Sequence, residues 1–223
     1  MIHFIISYLI LHWLLVISAI AGAIGFNIWN QQSSMPLAKM LLGFLAIAVV
    51  FHVIEEWVWP AGLHYIHNMR YDSPAPDRFP MNQFSDMLTN FGAIVLAAYG
   101  MWKHSDKMFV QLGSFLFCIL EVFMHTQLGF MGMELFGDVG LSVPYSPGSA
   151  TSFLFFLPIG VGNAIVLAHN KAYTIRNFAL GVGLLVAVLV TLIAIPEFGL
   201  QDINTPYGFP NNGFYDQYLF HKQ

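Results

Sequence analysis

Apolar residues in this chain come in long blocks, with polar, Pro- and Gly-containing segments between them. Six blocks stand out: Phe4–Ile28, Pro36–Trp57, Phe84–Trp102, Phe109–Phe130, Ala150–Ala168 and Asn177–Ile195. Each reaches the roughly 20 residues with which an α-helix, rising about 1.5 Å per residue, crosses a hydrocarbon layer about 30 Å thick. The pattern predicts an all-α membrane protein, a bundle of about six transmembrane helices. Residues 1–198 form the helical domain and 199–223 an aromatic C-terminal tail. Polar loops run from Trp57 to Gln83 and from Met131 to Ser149. The first block carries Ala19, Ala21 and Ala23, small residues that resemble a cleavage site, but it lacks a basic start and outruns a signal-peptide core. It is expected to remain as a span.

Composition agrees with this class: 57% of the 223 residues are hydrophobic and 9% are charged, against about a quarter charged in ordinary soluble domains. A net charge of -4 with no basic run argues against nucleic acid. The single cysteine, Cys118, excludes an internal disulfide and a thiolate zinc site. The Lys and Arg residues fall into two sets. Arg70, Arg78 and Lys222 lie on one side of a six-span chain, and Lys39, Lys103, Lys107, Lys171 and Arg176 on the other. The richer side is expected to be cytoplasmic, which makes the termini and long loops exterior or periplasmic.

The candidate chemistry lies where charge is costly. Glu55, Glu56 and Glu121 fall inside or at the margin of apolar blocks, with His52 and His125 but no Lys or Arg beside them. A carboxylate in hydrocarbon marks a functional site by default. His52, Glu55 and Glu56 stand at i, i+3 and i+4, on one helical face, and Glu121 and His125 at i, i+4. With six spans both sets share a membrane depth. Asn90 reaches the same depth, and the next block opens on Tyr145-Ser146-Pro147-Gly148 with Thr151 as a helix-start hydroxyl.

Nitrogen and oxygen ligands from facing helices suit a borderline metal, as in carboxylate-bridged bundles. The expected ligands are His52, Glu55, Glu56, Glu121 and His125, around one or two ions, with iron or zinc ahead of manganese. The metal would supply the missing positive charge. Glu56 and Glu121 are the expected catalytic carboxylates.

At this point the chain resembles a known family. His52-x-x-Glu55-Glu56 is similar to the signature of the HXXEE membrane proteins, a multi-span family without an assigned reaction. Glu121-x-x-x-His125, Tyr145-x-Pro147-Gly148-x-x-Thr151 and the run Leu154–Gly160 follow in the order that the family leads one to expect. The resemblance covers roughly His52 to Gly160 and implies that these polar residues share a site. One departure is Ser146, where the family leads one to expect Asn.

Three function classes remain open. The first is a metal-dependent membrane enzyme, hydrolase or oxidoreductase, acting on an apolar or amphiphilic substrate at the exterior end of the bundle. The second is a non-catalytic subunit of a larger membrane complex, docked through the tail, and the third a proton-coupled transporter. Membrane lipids are the expected surroundings in all three. Asn163 is expected to tie helices together, His64 and His67 to be solvated in their loop, and Trp57, Trp59 and Tyr65 to form an interfacial belt. The tail from Asn204 to Phe220 is expected to be surface covering.

Overall fold

Helix forms in all six apolar blocks. The computed structural model describes residues 2–221, so Met1, Lys222 and Gln223, including the Lys222 charge counted above, lie outside the described residues. In chain order the helices are α1 (Ile2–Gln31), α2 (Leu37–Trp57), the short α3 (Leu63–Met69) and α4 (Gln83–Lys103). They are followed by α5 (Met108–Phe136), α6 (Ser149–His169), α7 (Ile175–Gly199) and the short α8 (Asp216–Phe220). No strand occurs among the described residues.

Five of these helices, α1, α2, α5, α6 and α7, are long and apolar enough to cross a membrane. That number is compatible with a multi-pass membrane protein. The helix in the remaining block, α4, is 21 residues long but carries Ser85, Asp86, Thr89 and Asn90 in its first two turns. The outer faces carry exposed large apolar side chains, among them Leu11, Leu15, Phe26, Leu154 and Ile175. Soluble monomers rarely expose contiguous apolar surface on that scale.

Helices α2, α4, α7, α5 and α6 pack in a ring, each against the next, and α6 closes it on α2. Helix α1 lies outside, against α2 and α4. The ends are set by local chemistry. Asn82 caps α4 by accepting from Phe84 N and Ser85 N, while the Ser85 hydroxyl receives Asn82 N in a reciprocal box.

Prolines within α6 and α7 leave a visible mark. Pro158 and Pro196 each lack the N–H that would bond to the carbonyl four residues back. Just before each proline the helix widens into a π turn, Ser152–Phe156 in α6 and Leu189–Ala194 in α7. In α7 the carbonyl thus freed, Leu192 O, accepts the Thr89 hydroxyl of α4 at 2.5 Å.

The tail does more than cover surface. Tyr215 is fully buried against Tyr65 and Phe136, and Phe209 packs on Trp57 and stacks on His64 with ring centroids 3.9 Å apart. His64 is therefore buried, and His67 bonds Glu197 at 3.0 Å instead of being solvated. Of the expected aromatic belt only Trp59 is exposed; Tyr65 is buried, and the Trp57 indole donates to Asp86.

Candidate metal centre

His52 and Glu56 lie one helical turn apart near the end of α2, and Glu121 and His125 one turn apart around the middle of α5. The ring brings these two faces together. His52 Nε2 is 2.9 Å from Glu56 Oε1 and 3.1 Å from His125 Nε2, and His125 Nε2 is 3.4 Å from Glu56 Oε1. Glu121 Oε2 lies 3.6 Å from the first histidine nitrogen and 3.7 Å from the second. A tetrahedral ion with ligands at about 2.0–2.1 Å has ligand-to-ligand edges of about 3.3 Å, within the spread of these distances. His52, Glu56 and His125 form a group able to hold a metal ion, and all three are buried. Glu121 is more open, with 18% of its side chain exposed.

Two hydroxyls fix which nitrogen faces inward. The Thr151 hydroxyl donates to Glu55 Oε2 at 2.6 Å, so its lone pair meets His52 Nδ1 at 2.8 Å and that nitrogen donates. Ser146 Oγ donates to the His125 carbonyl at 3.0 Å and lies 3.3 Å from His125 Nδ1. Both Nε2 atoms then turn lone pairs toward one point, beside two carboxylates. Such an arrangement is repulsive without a positive centre. Among the described residues, the ion-pair partners of Glu56 and Glu121 within 4 Å are these histidines.

Glu55 goes elsewhere. Its Oε1 accepts Tyr145 OH at 2.8 Å and Ala150 N at 3.1 Å, and its Oε2 accepts Thr151 N at 2.8 Å besides the Thr151 hydroxyl. These backbone donors are the free N–H groups at the start of α6, whose own cap residue, Gly148, has no side chain to offer. Glu55 thus caps α6 from α2, where the positive helix end also favours an anion. Gly148 serves the centre in another way. Its φ is +96°, and a Cβ there would sit 2.2 Å from His125 Cε1, so the chain passes His125 only as glycine.

The centre opens on a cavity of about 410 Å³ between α2, α4, α5 and α7. Asn90 lines it and donates to Asp86 Oδ1 at 2.9 Å, and the Asp86 carboxylate also receives the Trp57 indole. At another part of the lining stand Glu197, His67 and Arg70. Asn163 ties α6 to α5 through Ser114 Oγ at 3.0 Å, as expected of a structural amide.

Two buried carboxylates in the cavity lining were not singled out by the sequence pattern. Asp86 stands four residues before Asn90, a same-face spacing, and Glu197 follows Pro196 at the end of an apolar block; both are acids with no basic residue next to them in sequence.

A family model described as a protein of unknown function with an HXXEE motif matches residues 43–162, a stretch that contains all four residues of the cluster. No curated protein and no solved structure matches the chain.

Proposed function

The chain belongs to the family of proteins of unknown function with the HXXEE motif, and we propose that it is a metal-dependent integral membrane enzyme of the hydrolytic class. His52, Glu56 and His125 would hold one divalent ion, and Glu121 stands beside the open fourth position, toward the cavity. The observation that carries this reading is the triangle of His52 Nε2, Glu56 Oε1 and His125 Nε2, with edges of 2.9, 3.1 and 3.4 Å. Two carboxylates balance a divalent ion, so the buried centre is neutral overall. The diversion of Glu55 to α6 favours one ion over two.

Two histidines and one carboxylate are a ligand set of zinc hydrolases, in which the ion acidifies a bound water. Glu121 is positioned to take the proton of that water, since its oxygen faces both histidine nitrogens and its side chain borders the cavity. Thr151 and Ser146 orient the imidazoles. Apolar walls around the cavity suit an apolar or amphiphilic substrate that reaches the centre from the membrane. An iron ion on the same ligands would make the centre oxidative, so metal identity separates the two enzyme classes.

The test is metal content and thermal unfolding of purified protein in detergent, with and without chelator. Stoichiometric metal, and chelator-sensitive unfolding that disappears in Glu56→Gln, are the expected results. Parent protein without metal, unfolding identically with chelator, would sink the reading and leave the accessory-subunit and transporter classes.

A further inference from the structure

The face of α2 that bears the centre does not stop there. Toward the start of the helix, Glu56 and His52 are followed at helical spacing by Val49, Leu45 and Leu42. Helix α4 repeats the pattern, with Asp86 and Asn90 giving way to Ala93, Ala97 and Gly100. Helix α5 does so as well, with Glu121 giving way to Phe117 and Gly113. Each stripe is polar at one end and apolar or small at the other.

The apolar ends line a second cavity of about 320 Å³ between the same four helices, with Tyr99 and His104 at its far end. Four residues line both cavities: Val49 of α2, Ala93 of α4, Phe117 of α5 and Val188 of α7. One residue from each helix therefore forms a collar at which the two cavities adjoin. From His52 to Leu42 the α2 stripe runs about 15 Å at 1.5 Å per residue. That is the depth of one leaflet, half of a hydrocarbon layer about 30 Å thick.

Charge narrows what the polar end accepts. The cavity at the centre is lined by four carboxylates, Glu56, Asp86, Glu121 and Glu197, against one guanidinium, Arg70. Two of the four are balanced by the proposed ion. Asp86 is already bonded by the Trp57 indole and Asn90, Glu197 is paired with His67 at 3.0 Å, and Arg70 is exposed, so the lining leaves no unpaired charge for the polar end to meet.

We propose that the substrate is a single-chain lipid with an uncharged polar end, its chain threaded through the collar into the apolar arm. This rests on the metal-enzyme reading, with the polar end meeting Glu121 and the two histidines. Each methylene buried in the arm contributes about 0.8 kcal/mol, so chain length governs affinity.

The test is photolabelling of the full-length protein in lipid nanodiscs, with labelled sites mapped by mass spectrometry. The probe is a long-chain alcohol bearing a diazirine near the end of its chain. Labelling is expected at Leu45, Ala97 and Gly113, with loss of that labelling in Val188→Trp, which fills the collar from the lightly packed α7. Ala93→Leu is the second variant, should the first fail to fold. An alkyl phosphate of equal length is expected not to label these sites. Labelling confined to outward residues such as Phe178 and Leu180, or arm labelling unchanged in both folded variants, would overturn the proposal. Equal labelling by the phosphate would overturn its uncharged end. Metal content measured on the same samples keeps the two readings apart. A metal-loaded protein whose arm stays unlabelled overturns the lipid alone, and a metal-free protein whose arm labels overturns the metal centre alone.

Discussion

Glu55 and Glu56 are neighbours in sequence, equally buried at 7% and 4% exposure, yet they live in opposite surroundings. Glu55 receives four hydrogen bonds from hydroxyls and from the start of α6, enough to hold an anion without any cation. Glu56 receives no such donors in this arrangement and faces two imidazole nitrogens, with a second carboxylate beyond them. A buried carboxylate can be satisfied by dipoles or by a positive centre. Glu55 has the first solution, in the wall beside α6, and Glu56 has surroundings suited to the second.

The sharpest way to break that comparison is to neutralise each carboxylate in turn. Glu56→Gln should abolish metal binding. It should also remove the stabilisation that a bound ion supplies by mass action, about 3–4 kcal/mol at 100 to 1,000 times the dissociation constant. Metal analysis with chelator titration of the unfolding midpoint checks it. Glu55→Ala should instead cost the fold directly, on the order of 3 kcal/mol, because the start of α6 and Tyr145 lose their acceptor. Its unfolding should be lowered even in chelator. Equal behaviour of the two variants would erase the distinction between wall and centre.

A milder change probes the link between them. Thr151→Val removes the hydroxyl that joins Glu55 to His52. It is expected to lower metal affinity by about 10-fold, the scale for partners that orient a ligand, while Thr151→Ser restores it. Competition with a metallochromic dye in detergent reads this out.

The smallest effect concerns the tail. Burial pulls the pKa of His64 from 6.5 down to about 3, against the opposing pull of Asp77, with His67 adding to the depression. A base with a lowered native pKa binds fewer protons folded than unfolded, so stability is fully present above pH 6.5 and falls as pH drops from 6.5 toward 3. Protection factors across residues 204–220, with each exchange rate referred to the unfolded-chain rate at the same pH, should fall at pH 5.5 relative to 7.5. His64→Phe keeps the stack on Phe209 and should remove that dependence.

Much of this was legible beforehand, for physical reasons. Apolar blocks of spanning length leave a chain little choice but helix, so all six helices stand where the pattern put them. The i, i+4 pairs His52/Glu56 and Glu121/His125 point to one centre because helical spacing is rigid. The same argument could not separate Glu55 from Glu56, since i+3 and i+4 share a face and only the arrival of α6 decides between them. His64 and His67 were misread because their partners, Phe209 and Glu197, lie more than a hundred residues away in segments without periodicity. The π turns had a signal in Pro158 and Pro196, one in α6 and one in α7.

The cap that Glu55 places on α6 also has a consequence in time. Its Thr151 partner follows 96 residues later in the chain, and the His125 that faces His52 follows 73 residues later. At about 5–20 residues per second of synthesis, α2 exists for roughly 5–20 s before Glu55 meets its donors. Until then the three polar side chains at the end of α2 lack the partners that α5 and α6 bring, and His52 and Glu56 have only each other. Their place at the very end of the helix, beside Trp57 and the polar loop, lets water serve them until α5 and α6 arrive. The same residues moved two turns deeper would have no such waiting place, so the order of synthesis itself favours a centre built at the margin of the bundle.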